Sequence, residues 1–139
     1  MEIREFAERV LHSPSLTEKL TVPGRLTDDR PGAALSRVVL PQRPPGLAFA
    51  SEQAARATFP KSTALHDGQA RGRALHFFAN HELLALELMA LALLRFPDAP
   101  TSFRKRLVAT MRDEQRHMRL YLDRMAELKS FYNDISKNT

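Results

Sequence analysis

The chain of 139 residues has no cysteine and no tryptophan. A disulfide scaffold, a thiol nucleophile and a thiolate-ligated zinc or iron–sulfur site are therefore excluded. Glycine is scarce and one-sided: all five glycines and seven of the nine prolines lie at or before Gly72, and the 67 residues beyond carry only Pro97 and Pro100. That stretch has room for about two long helices at ~1.5 Å rise per residue. Charge of one sign does not dominate either part. The net charge of +5 divides into 10 Lys/Arg against 8 Asp/Glu up to Gly72 and 11 against 8 beyond. The N-terminus, Met-Glu-Ile-Arg-Glu, shows no basic run followed by an apolar core. The most apolar window, Leu83 to Leu94, holds Glu87 and is too short to span a bilayer. These features lead us to expect a cytoplasmic protein without a membrane segment.

What is there is mostly helical. Ile3, Phe6, Ala7, Val10 and Leu11 recur at helical spacing, which predicts an amphipathic helix over 2–12, stopped by Ser13-Pro14. Ser15 with Glu18 resembles a capping box that opens a single turn. Between Thr21 and Ala50 the turn signals Pro23-Gly24, Pro31-Gly32 and Pro44-Pro45-Gly46 break any period, so an irregular arm is expected, with one short helix over 51–59. From Gly72 to Phe96 no proline intervenes, and Leu83 to Leu94 is apolar nearly all round, the mark of a buried helix. Arg95 to Pro100 is a tight break, after which Thr101 and Ser102 supply a cap for a second helix to about Leu128. So short a link favours an antiparallel helical hairpin. The expected organisation is all-α: residues 1–72 as a short helix plus Pro/Gly-rich arm, 73–129 as the hairpin, and 130–139 as a tail without apolar period.

The second helix carries a stripe at steps of three and four: Phe103, Leu107, Thr110/Met111, Glu114, His117, Tyr121, Met125 and Leu128. Two titratable residues thus stand where apolar ones are expected. A carboxylate there must be paired, protonated or metal-bound. Glu-x-x-His on an inward helix face lets a carboxylate and an imidazole reach one ion. On the first helix Glu82 shares a stripe with Leu75, Phe78, Ala79, Leu86, Met89 and Leu93. Glu82 lies 13 residues before Arg95 and Glu114 lies 13 after Thr101. In an antiparallel hairpin both stand ~20 Å from the turn, at one level. Glu87 is nearer the turn and lines up with His76 and Asn80 instead. Glu82, Glu114 and His117 are therefore the candidate metal ligands. Glu87, His76 and Asp113 are possible supporting residues: His76 as a donor to Glu87, and Asp113 as the group that orients His117 or else pairs with Arg116. The alternative is a buried Glu–His or Glu–Arg pair that only stabilises the hairpin. His81 is expected to be partly exposed and structural. Lys105, Arg112, Arg116 and Arg119 form a basic stripe, expected to be a solvated face, with nucleic-acid contact as its alternative.

The segments His76 to Ala90, Leu93 to Pro100, Phe103-Arg104, Asp113 to Tyr121 and Arg124-Met125 resemble the signature of a ferritin-like family of unknown function (domain of unknown function 455). Pro41-Gln-Arg-Pro-Pro-Gly46 and the basic arm before it fit that family's N-terminal region. The family is distantly similar to di-iron proteins of the tRNA-hydroxylase type. The resemblance implies a ferritin-like four-helix bundle with a di-iron or di-manganese carboxylate site, and it places a first half-site on Glu82, Glu114 and His117. It also implies a second helix pair with another Glu and another Glu-x-x-His. This chain has no second Glu-x-x-His, so it reads as a truncated member with half of a two-metal site. Two functions follow as expectations. One is a di-iron-type oxidase or hydroxylase whose second half-site comes from another chain or a missing segment. The other is a non-catalytic helical module that acts through homo-oligomerisation or partner binding at its apolar helix.

Overall fold

A computed structural model describes residues 1–44 and 67–137, with side chains placed through residue 129. The short helix expected over 51–59 lies outside the described residues. The described residues form an all-α structure with four helices, α1 (Ile3–His12), α2 (Leu16–Leu20), α3 (Gly68–Arg95) and α4 (Thr101–Lys137). The only β-type pairing among them is an isolated parallel bridge between Glu2 and Thr27.

The first helix forms as its spacing predicts. Ile3, Phe6, Ala7, Val10 and Leu11 are all buried and join one core with residues of α3 and α4. Ser15 caps α2 by accepting from the Glu18 backbone N–H. The Glu18 carboxylate accepts from the Ser13 hydroxyl, so the reciprocal half of a capping box is absent there. The arm beyond α2 is irregular. Backbone bonds hold it to the helices: Ile3 N–H donates to Thr27 O, Leu35 N–H to Leu94 O, and Gln42 N–H to Leu11 O.

Helices α3 and α4 pack along one another, joined by residues 96–100. Pro97 bars the preceding residue from helical conformation, and Phe96 leaves the helix at φ −125°. The carbonyls exposed at the end of α3 need donors. Arg104 supplies them, donating to Leu93 O at 2.8 Å and Phe96 O at 3.0 Å. Its other face meets both oxygens of Asp28 in a bidentate pair. The cap expected from Thr101 and Ser102 is displaced by one residue: Arg104 N–H donates to Pro100 O, which puts Thr101 inside the helix. Helix α4 runs to Lys137, nine residues beyond the expected end and through most of the expected tail.

By length and composition α3 is apolar enough to cross a bilayer, which the shorter window Leu83 to Leu94 did not indicate. Here it is the central helix of a packed core. Leu83, Leu86, Ala90, Leu93 and Leu94 are buried against α1 and α4. Phe78 on α3, Phe96 just past its end and Phe103 on α4 are about half exposed.

The core face of α4 differs from the expected stripe. The buried positions are Arg104, Val108, Met111, Gln115, Met118 and Leu128. This face is rotated about one residue from the stripe through Phe103, Glu114 and His117. The polar members Arg104 and Gln115 hid it, because a pattern of apolar residues passes over a buried Arg and a buried Gln. Both are hydrogen-bonded as buried polar groups require, with Gln115 Nε2 donating to Lys19 O and Thr21 O.

Candidate metal centre

The counting of residues from the turn holds in three dimensions. One ligand atom each from Glu82, Glu114 and His117 lies within 4.8 Å of the others. The three side chains come from two helices at one level, which the five-residue link and the regular 1.5 Å rise make possible. They do not point into the core, as the stripe suggested. Glu82 is half-buried, the Glu114 side chain is 17% exposed, and the His117 side chain is 54% exposed. The cluster therefore reaches the surface of the hairpin, through His117.

The electrostatics of the cluster are strained. Burial raises the Glu114 carboxyl from its ordinary value near 4.5 to about 7, the adjacent Glu82 carboxyl adds to the rise, and His117 opposes it. His117 Nδ1 stands 3.7 Å from Glu114 Oε2, too long for a hydrogen bond. Glu114 Oε2 is buried with no hydrogen-bond partner among the described residues. Two carboxylates and an imidazole converging on one point, with one buried oxygen unpaired, form a donor set that suits a divalent first-row cation.

The expected supporting residues are distributed differently. Glu87 is completely buried, about 140° around α3 from Glu82, on the α1 side. Its carboxylate accepts from Lys19 Nζ at 3.0 Å and from the Arg43 guanidinium, and Arg43 also donates to Asn80 Oδ1. Asn80 and Glu87 thus form the polar stripe expected of them, but its organiser is Arg43. His76 is exposed and lies 11 residues from Glu87 on the same helix, roughly 16 Å along the axis, so it cannot serve as donor. Asp113 accepts from Arg116 at 3.2 Å on the exposed face, the surface alternative to orienting His117. His81 is exposed, as expected, with its ring against Phe77 and Nδ1 3.0 Å from the Phe77 carbonyl.

Lys19, Arg43, Arg104 and Gln115 hold the arm and α2 against the hairpin, and reading by periodicity passed over all four. Arg43, Arg104 and Gln115 did lie within the segments that carry the family resemblance, Pro41 to Gly46, Phe103-Arg104 and Asp113 to Tyr121. Lys19 had no such signal.

The fold and the cluster define a helical protein with a carboxylate–imidazole constellation between two long helices. The chain belongs to a family of proteins of unknown function, DUF455, whose sequence pattern matches residues 4–139. No curated protein and no solved structure matches it.

Proposed function

We propose that Glu82, Glu114 and His117 hold a divalent first-row metal, iron or manganese, as one half of a two-metal carboxylate–histidine centre of the ferritin-like kind. The observation that supports this is the convergence of the three ligand atoms within 4.8 Å, with Glu114 Oε2 buried and unpaired. Such a metal supplies dioxygen binding and redox chemistry, which suits an oxidase or hydroxylase. The chain's own residues neutralise the cation with two carboxylates, set its position with His117, and leave one side open for further ligands. Those ligands come from another chain or another segment docked over the exposed His117 side of the cluster, with a second copy of the chain as one source.

The test is metal content by plasma mass spectrometry together with Fe(II) and Mn(II) titration. At least one metal per two chains is expected, with loss on Glu114→Gln and on Glu82→Gln. A lower content that neither substitution changes would refute the site.

The exposed phenylalanines favour a second reading, a non-catalytic helical module that acts by association. Concentration-dependent association by analytical ultracentrifugation in a protein without specific metal binding would select this reading over the first.

A further inference from the structure

A second site lies on the opposite side of the molecule from the carboxylate cluster. The start of α1, the arm around Arg25 and the outer face of α4 enclose a groove of about 480 Å³, lined by Ile3, Arg25, Leu26, Lys105, Val108 and Arg112. Its cationic members come from separate parts of the chain. Arg25 belongs to the irregular arm, while Lys105 and Arg112 lie seven residues apart on α4, two turns on one side. Arg112 stands about 160° around α4 from Glu114, so the groove shares no wall with the metal cluster.

Three positive charges thus meet around a space that no carboxylate of the described residues lines. Two of the acids nearby in sequence are already engaged, and the exposed Asp29 is not among the residues that line the groove. Asp28 is held bidentately by Arg104, and Glu2 accepts from the backbone N–H groups of Asp29 and Arg30. Arg25 and Lys105 have no ion-pair partner among the described residues. Arg112 donates through Nη2 to the Gly24 carbonyl at 2.6 Å, which fixes the guanidinium at the groove wall. Its Nε is buried and has no partner among the described residues. A buried donor left without an acceptor costs stability unless a ligand supplies one. Between the charges the groove is also lined by the partly exposed Leu26, with the nearly buried Ile3 and Val108 beside it.

We propose that this groove binds a small phosphate monoester, its phosphate between Arg25, Lys105 and Arg112 and its apolar or aromatic body on Leu26, beside Ile3 and Val108. Guanidinium groups suit the oxyanion because their donors form a planar fork, and Lys105 adds a mobile point charge. The apolar lining distinguishes an organic ester from free phosphate, which has nothing to place there.

Isothermal titration of the full chain with phenyl phosphate, inorganic phosphate and phenol tests this. Phenyl phosphate is expected to bind at least tenfold more tightly than inorganic phosphate, phenol not at all, and added salt to weaken the binding. Arg112→Gln and Lys105→Gln are each expected to weaken phenyl phosphate at least tenfold. Arg119→Gln, on the same basic stripe but outside the groove, should leave it unchanged. Lys105 is exposed, so its variant keeps the fold even if the Arg112 variant does not. Equal weakening by all three substitutions would reduce the effect to diffuse charge and overturn the site. Equal affinity for inorganic phosphate would overturn the assignment of an ester, and absence of binding at low salt would overturn both.

Discussion

The ammonium of Lys19 stands 3.0 Å from Oε2 of Glu87, and both side chains are fully buried. The pair joins α2 to the centre of α3, with Lys19 also donating to the carbonyls of Val10 and Leu11 at the end of α1. Arg43 closes the other side of Glu87, so one carboxylate ties both α2 and the arm at Arg43 to the hairpin. Burial pulls the Lys19 amine below its ordinary value of 10.5, and the Glu87 carboxylate opposes that fall. Truncation as Glu87→Ala leaves two buried cations without their carboxylate, and a loss of about 3–5 kcal/mol is expected. Lys19→Met is expected to cost less, because Glu87 keeps Arg43. Urea unfolding followed by circular dichroism checks both values, and an equal or larger loss for Lys19→Met would contradict this account.

Protonation of Glu114 couples the cluster to pH. Its carboxyl titrates near 7 in the folded chain against 4.5 in the unfolded one. Between those values the folded state binds more protons, so stability of the metal-free protein falls as pH rises through this window. The stabilising contribution is fully present below the unfolded value and is lost as pH passes about 7. The proposed metal would require the deprotonated ligand, so the affinity expected for Fe(II) or Mn(II) runs the other way and rises across the same range. Unfolding of metal-free protein at pH 5, 6, 7 and 8 measures the first trend. In Glu114→Gln this slope should flatten, and a slope kept intact would assign the proton elsewhere.

Gly32 has φ +74°, and a Cβ built there would fall 2.3 Å from Arg4 Nη1. That nitrogen donates to the carbonyls of Pro31 and Ala33, so the arginine wraps the turn at the glycine. Gly32→Ala must accept a left-handed backbone at a cost of roughly 1–2 kcal/mol and also displace Arg4 from both carbonyls. The expected loss therefore exceeds that of Arg4→Ala, which removes the bonds and keeps the glycine. Thermal unfolding of the two variants ranks them.

Arg104 joins the end of α3 to Asp28 of the arm while buried to 1% exposure. Arg104→Leu removes the donors to Leu93 O and Phe96 O and strands the Asp28 carboxylate. A loss of about 3–5 kcal/mol is expected, as for other broken buried pairs. Leu93→Ala, a cavity of ordinary kind at the same end, is expected to cost about 2–5 kcal/mol without loosening the arm. Hydrogen exchange at residues 27–35 should separate the two, rising in the arginine variant alone.

The sequence by itself located the two long helices and α1, short of the true end of α4, and put Glu82 level with Glu114. Spacing in α1 named all five of its buried residues, the Pro97 and Pro100 break located the turn, and a count of thirteen residues on each side put Glu82 level with Glu114. These features are local or follow from a constant rise per residue, so they need no knowledge of neighbours. Only the tertiary structure decided which faces the helices bury. It chose Arg104 and Gln115 over Phe103 for the core of α4 because Asp28, Leu93 O and Lys19 O satisfy them from distant parts of the chain. It assigned Glu87 to Lys19 and Arg43 rather than to His76, and it left His117 of the cluster exposed. Burial of a charge depends on where its partner arrives in space, and periodicity along one helix carries no record of that.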